Sequence, residues 1–232
     1  NRLDYAWFIN SSFTFNASMR NRLFYGESVK SIPELYDQLA EDPAYFDLSI
    51  LWFNSKGAAL HTTFDRLNID FQKNNWQFIL GRQRINWGVN LVWNPNDIFN
   101  SYSYFEVDYP ERPGSDALRI QYYTGMASSV EVAAKLDSAE RLTAAGLFRF
   151  NALGFDLQFL GGLYQEEDLV LGTGWSGNLG PAAFRSEISY FRDVEVFSDT
   201  SGYFMASMAL DYTFPNSLWI QLEGLYSALA RE

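Results

Sequence analysis

Residues 154–165 read GFDLQFLGGLYQ, and the two-residue rhythm inside them decides the fold. Phe155, Leu157, Phe159, Gly161 and Leu163 alternate with Asp156, Gln158, Leu160, Gly162 and Tyr164. Successive side chains of a strand point to opposite faces of a sheet, so the run carries one apolar and one polar face. The same reading holds where Leu67, Ile69 and Phe71 alternate with Arg66, Asn68, Asp70 and Gln72. Repeated nearly end to end with almost no helical period, this rhythm predicts an all-β, antiparallel chain.

Eleven strands are expected, at about 8–26, 58–72, 75–87, 115–124, 126–137, 140–151, 154–165, 168–177, 181–192, 201–214 and 218–228. Their connections at Lys73-Asn74, Gly125, Asn151–Gly154, Asn178–Pro181 and Pro215-Asn216-Ser217 are tight and rich in turn formers. These alternate with mixed, often longer connections, 27–57 and 88–114 above all. Asp47–Phe53 has strand character but is placed in the first long loop to keep this alternation. Within that loop, SIPELYDQLA (Ser31–Ala40) is the one helix start, with Ser before Pro and Glu34 in a capping-box position. The odd count, and an end just after a strand, lead to the expectation that further strands follow.

The apolar set includes Phe13, Phe15, Leu118, Ile120, Val130, Val132, Phe148, Phe150, Ile188, Tyr190, Met208, Leu210, Ile220 and Leu222. The opposite set includes Asn16, Arg20, Arg66, Asp70, Arg119, Gln121, Glu131, Arg149, Asp156, Arg185, Glu187, Asp211, Gln221 and Glu223. In a soluble sandwich the apolar set would be the core. In an up-and-down transmembrane barrel it would face lipid and the polar set a wet interior. The barrel is preferred on three grounds. Many strands exceed the nine residues that a tilted spanning strand needs. Aromatic residues stand near strand ends, at Trp7, Tyr25, Trp76, Trp87, Tyr122, Trp175, Tyr203 and Trp219, as interfacial girdles do. The polar face mixes Arg with Asp and Glu. One strand resists: Arg82 and Arg84 share parity with Trp76, Phe78 and Leu80, so a bulge near Gly81 is expected to send them inward.

Composition narrows the classes. The 232 residues form one domain in this reading, 47% hydrophobic and 18% aromatic. No stretch approaches the ~20 apolar residues of a spanning helix. There is no cysteine, which excludes disulfides and thiolate chemistry. The net charge of −11 argues against nucleic acid. Acidic residues crowd the long connections (Glu27, Glu34, Asp37, Glu41, Asp42 and Asp47 in the first), either as a solvated acidic rim or as loops bridged by divalent cations to a negatively charged surface.

Residues 80–120 read LGRQRINWGVNLVWNPNDIFNSYSYFEVDYPERPGSDALRI. Within it, the 27 residues at 88–114 join two expected strands, and structureless connections of this length are uncommon and usually functional. Asn94-Pro95-Asn96-Asp97 and Arg112-Pro113-Gly114 are turn formers, so order is expected. Either the segment folds into the interior as a plug, or it packs on the rim as a docking surface. Its pattern (Gly81-Arg82-Gln83, Ile85, Trp87-Gly88, Asn94 to Asp97, Phe99, Arg112 to Gly114) resembles porin-like bacterial outer-membrane proteins, including alginate-export-like barrels. That resemblance covers about a sixth of the chain and implies an outer-membrane location and a channel, with no cargo named.

The candidate interior contacts are Arg66, Arg82, Arg84, Arg119, Arg149, Arg185, Asp97 and Arg112. They suit a porin-like channel or exporter for polar or anionic solutes or polysaccharide. The alternative is a non-conducting barrel subunit of a larger outer-membrane assembly. Partners are then the bilayer, lipopolysaccharide and other outer-membrane or periplasmic proteins. No cofactor is called for. His61, the single histidine, shares parity with Thr63 and not with Arg66, Asn68 and Asp70. No catalytic constellation surrounds it in sequence, so no enzyme is expected.

Overall fold

A computed structural model describes residues 1–26, 42, 44–55, 57–100, 114–195 and 202–228. The expected helix at Ser31–Ala40 and the candidate Arg112 lie outside the described residues. Thirteen strands form one antiparallel sheet: β1 (Arg2–Phe8), β2 (Phe13–Tyr25), β3 (Ser49–Ser55), β4 (Ala58–Lys73), β5 (Trp76–Gln83), β6 (Ser115–Gly125), β7 (Ser128–Leu136), β8 (Leu142–Ala152), β9 (Phe155–Tyr164), β10 (Asp168–Leu179), β11 (Ala182–Asp193), β12 (Tyr203–Thr213) and β13 (Trp219–Ala228). Their order is β1-β2-β4-β5 and onward to β13 as a simple meander, with β3 beside β4. This is the up-and-down arrangement that the alternation predicts. Among the described residues no helix is long and apolar enough to cross a membrane, a finding that does not bear on strands.

The turns follow local chemistry. Lys73 pairs with Trp76 across Asn74-Asn75, and Ala152 with Phe155 across Leu153-Gly154. Leu153 and Gly154 both have positive φ, 55° and 81°, as a tight hairpin with the right twist demands. Leu179 pairs with Ala182 across Gly180-Pro181.

Two strands are additions to the expected eleven. The strand expected at 8–26 begins only at Phe13, as β2, and the residues before it form β1, which turns at Asn10, whose Oδ1 accepts from the N–H of Ser12 and Phe13. Asp47–Phe53 is not loop, since β3 occupies most of it. β2 covers one side of β4 along its length. On the other side β5 pairs with Leu67–Lys73 and β3 with Ala58–Thr63. β3 thus fills the lane that β5 leaves at Gln83. This is also why the expected strand at 75–87 stops early.

The expected bulge near Gly81 is absent. Pairing runs one to one through Asn68–Gly81 and Leu67–Arg82, so Arg82 keeps the parity of Leu80. The bulge lies in β4: Ser18 pairs with Arg66 and Met19 with Phe64, leaving Asp65 as the inserted residue. A β-bulge reverses facing on one strand. His61 and Thr63 therefore lie on the same face as Arg66 and Asn68, which corrects the parity read from sequence.

Two compact units can be distinguished. The first holds Asn1–Arg84, Tyr102–Leu118 and Lys135–Arg141; the second holds Ile85–Ser101, Arg119–Ala134 and Leu142–Glu232. In the second unit the two faces separate cleanly. Phe148, Phe159, Leu171, Ile188, Met208, Leu210 and Leu222 are exposed, while Glu131, Gln158, Glu187, Ser189 and Ser207 are buried. Buried polar groups on a sheet face need partners, because leaving them without hydrogen bonds costs free energy. Residues 85–100 supply those partners.

Candidate functional site

Residues 85–100 form a strap laid over the polar face of the second unit. Ile85, Trp87 and Phe99 are fully buried, and the Trp87 and Phe99 rings meet edge to face at 4.7 Å. Asn100 Nδ2 donates to the Ile85 carbonyl, tying the two legs together. The sheet face that carries Gln158 also carries Ala145, Leu147, Leu160 and Val170, all buried. The polar strand positions are thus interleaved with a small buried apolar patch.

Strand side chains bind the strap mainly through its backbone. Glu187 on β11 accepts three main-chain N–H groups: Val89 at 2.5 Å and Asn90 at 3.0 Å on Oε1, and Asn96 at 2.9 Å on Oε2. Its side chain has no solvent exposure. Glu223 on β13 accepts from Val92 and, at 2.7 Å, from Trp93 at the tip. Glu131 on β7 accepts the Trp87 indole N–H at 2.6 Å. Gln158 on β9 donates to the Trp87 carbonyl, and Arg149 on β8 to that of Asn86. A segment without secondary structure must satisfy its backbone groups somewhere, and here strand carboxylates and amides do so.

Asn96 is the most deeply keyed residue of the strap. Its Nδ2 donates to the Thr173 carbonyl at 3.0 Å, and its Oδ1 accepts from Ser189 Oγ at 2.7 Å. The slot exists because β10 carries Gly172 and Gly174. A Cβ on Gly172 would lie 2.4 Å from Asn96 Oδ1, and one on Gly174 would lie 3.2 Å from its Nδ2. Asn90 Nδ2 donates to Ser207 Oγ at 2.6 Å.

The sequence-derived candidates divide as follows. Arg119 forms a two-point pair with Glu131, both contacts 2.8 Å, and also reaches Gln121. Arg185 pairs with Asp211. Arg149 serves the strap, and Asp97 is buried within it beside Asn100. Arg66 donates to the Asp65 carbonyl at 2.6 Å. Arg84 is exposed. Arg82, in the first unit, is buried: Nε and NH2 hold Asp116 at 2.9 and 2.8 Å, while Asp42 and the Phe46 carbonyl take further donors. The charge that looked unfavourable on an apolar parity is thereby paired with buried carboxylates.

Sequence reading placed Glu187 and Glu223 on the polar face but did not single them out, since alternation marks a face and not a partner. Gly172 and Gly174 were the signal available for Asn96: two glycines at alternate positions leave a slot on one face of a strand. Trp87, read as interfacial, is buried. His61 is buried next to Arg22, whose NH2 lies 3.2 Å from Nδ1. Among the described residues no group of three or more His, Cys, Asp or Glu is placed to hold a metal ion. No family model matches the sequence, and no curated protein is significantly similar to it.

Proposed function

We propose that this chain forms the wall of a bacterial outer-membrane β-barrel whose polar passage is narrowed by the strap at 85–100, giving a restricted, porin-like route for polar or anionic solutes. The observation that carries the reading is the convergence of three strap N–H groups on the buried Glu187 carboxylate. Three charge-assisted hydrogen bonds fix irregular backbone over the strand face that would line the passage. Non-helical backbone at membrane depth is tolerated where it is buried in protein or lines a cavity. Strand length supports a bilayer location: ten of the thirteen strands have nine or more residues, enough for a tilted span. The resemblance of residues 80–120 to porin-like and alginate-export-like barrels agrees with this location, with the bilayer and lipopolysaccharide as surroundings.

One observation favours a second reading, a non-conducting subunit of an outer-membrane assembly. The guanidinium groups of Arg119 and Arg185 are held by Glu131 and Asp211, and Arg149 by the strap. Arginines engaged in this way offer less to a passing anion.

The test is single-channel recording of the full-length protein in a planar bilayer, with and without residues 86–99 replaced by a short Gly/Ser linker. Small steps that grow when the strap is removed support the restricted channel. Silence from both proteins, each a heat-modifiable barrel, supports the subunit. Large steps unchanged by removal would refute the strap as a constriction.

A further inference from the structure

We infer that Glu187, with Glu223 as a second point, is a proton-operated latch that holds the strap down when ionised and lets it lift when protonated. The inference rests on reading residues 85–100 as a strap across a barrel passage. An ionised carboxylate only accepts hydrogen bonds, and Glu187 receives three from main-chain N–H groups. Adding a proton takes the lone-pair site that the single N–H on Oε2 leaves open, so all three contacts lose their charge assistance and a buried O–H donor is left facing N–H groups. The two legs leave together, because Val89 and Asn90 lie on one leg and Asn96 on the other.

The surrounding charges leave the latch to this one carboxylate. On the strap, Asp97 bears on Glu187 electrostatically. On β11 itself Arg185 is taken by Asp211 of β12. β10 presents Gly174 opposite Glu187, and β12 presents Ser207. β13 presents Glu223, which holds the tip. Among the described residues no cation forms an ion pair with Glu187, and three main-chain N–H groups face its charge.

The experiment is hydrogen–deuterium exchange of the full-length protein in lipid vesicles at pH 7.5 and 4.5, corrected for intrinsic exchange, on wild type, Glu187→Gln and Glu223→Gln. The expected result is a wild-type strap that exchanges at least about tenfold faster at the lower pH, the size of losing one charged hydrogen bond. Glu187→Gln should already be fast at pH 7.5 with no further rise outside residues 91–93, while β11 peptides keep wild-type protection. Glu223→Gln should free only residues 91–93. A wild-type strap equally protected at both pH values overturns the latch even if Glu187→Gln does not fold. So does a folded Glu187→Gln that behaves as wild type. Conductance recorded in parallel separates the two ideas: a strap that lifts without changing conductance keeps the latch and refutes the passage.

Discussion

Replacing Asn96 with Ala removes the strap's key while leaving its main-chain bond to Glu187 intact. Two side-chain hydrogen bonds disappear, to the Thr173 carbonyl and from Ser189 Oγ. Each is worth about 0.5–1.5 kcal/mol net, so the strap should lose about 1–3 kcal/mol of local stability. A central loss of about 2 kcal/mol is roughly a 30-fold rise in its opening equilibrium. The sheet beneath should be unaffected, because neither bond belongs to the ladder. Asn96→Asp should do more harm, since a carboxylate oxygen then faces the Thr173 carbonyl in place of a donor. Peptide-resolved hydrogen exchange reads the effect directly: residues 85–100 accelerate and β10 and β11 do not. Strap protection within about threefold of wild type in Asn96→Ala, about 0.6 kcal/mol, would refute the idea that Asn96 keys the strap into the glycine slot.

Three further outcomes follow from the same geometry. Gly172→Ala places a Cβ 2.4 Å from Asn96 Oδ1, so it should loosen the strap as Asn96→Ala does while β9–β10 pairing persists, checked by the same exchange measurement. Arg82→Met leaves Asp116 and Asp42 buried without their cation; it should cost about 3–5 kcal/mol in urea unfolding of the folded protein, and a loss below about 1 kcal/mol would contradict the pairing. Burial opposes ionisation of Asp137, but hydrogen bonds from the Arg141 backbone and side chain and the Ala139 N–H outweigh it and hold the carboxyl below its usual value. Its contribution is therefore present above the unfolded-state value and is lost as pH falls through the lower folded one, so amides 139–141 should lose protection in acid in wild type and show no such transition in Asp137→Asn.

Much of this architecture can be read from alternation alone. Every residue assigned to the polar set on β8 to β13 lies on one face, because a side-chain period of two leaves no freedom once a strand is paired. What escaped has local causes. The Asp65 bulge in β4 carries no signature of its own, and it moved His61 to the other face. Loop parity argues against a strand at Asp47–Phe53, yet β3 leaves that parity intact because it shares a lane with β5. The turn at Asn10-Ser11-Ser12 has turn-forming residues, but apolar alternation on either side of it extends the expected strand back to residue 8. The strap was recognised as an ordered long connection. Its hold on Glu187 was not, since it joins residues more than ninety positions apart.

The central claim is that the apolar face meets lipid while the polar face lies beneath the strap. A chain without cysteine allows this to be measured one position at a time, by reacting single-cysteine variants of the membrane-reconstituted protein with a membrane-impermeant maleimide and by quenching attached fluorophores with lipid-bound nitroxides. The account predicts that Ile188→Cys, Met208→Cys and Leu222→Cys are quenched from the lipid and resist the aqueous reagent. It also predicts that Ser189→Cys and Ser207→Cys resist both reagents until the strap is removed, and then react from water. Rapid aqueous labelling of Ile188→Cys, Met208→Cys and Leu222→Cys without lipid quenching, or of Ser189→Cys and Ser207→Cys with the strap in place, would contradict it.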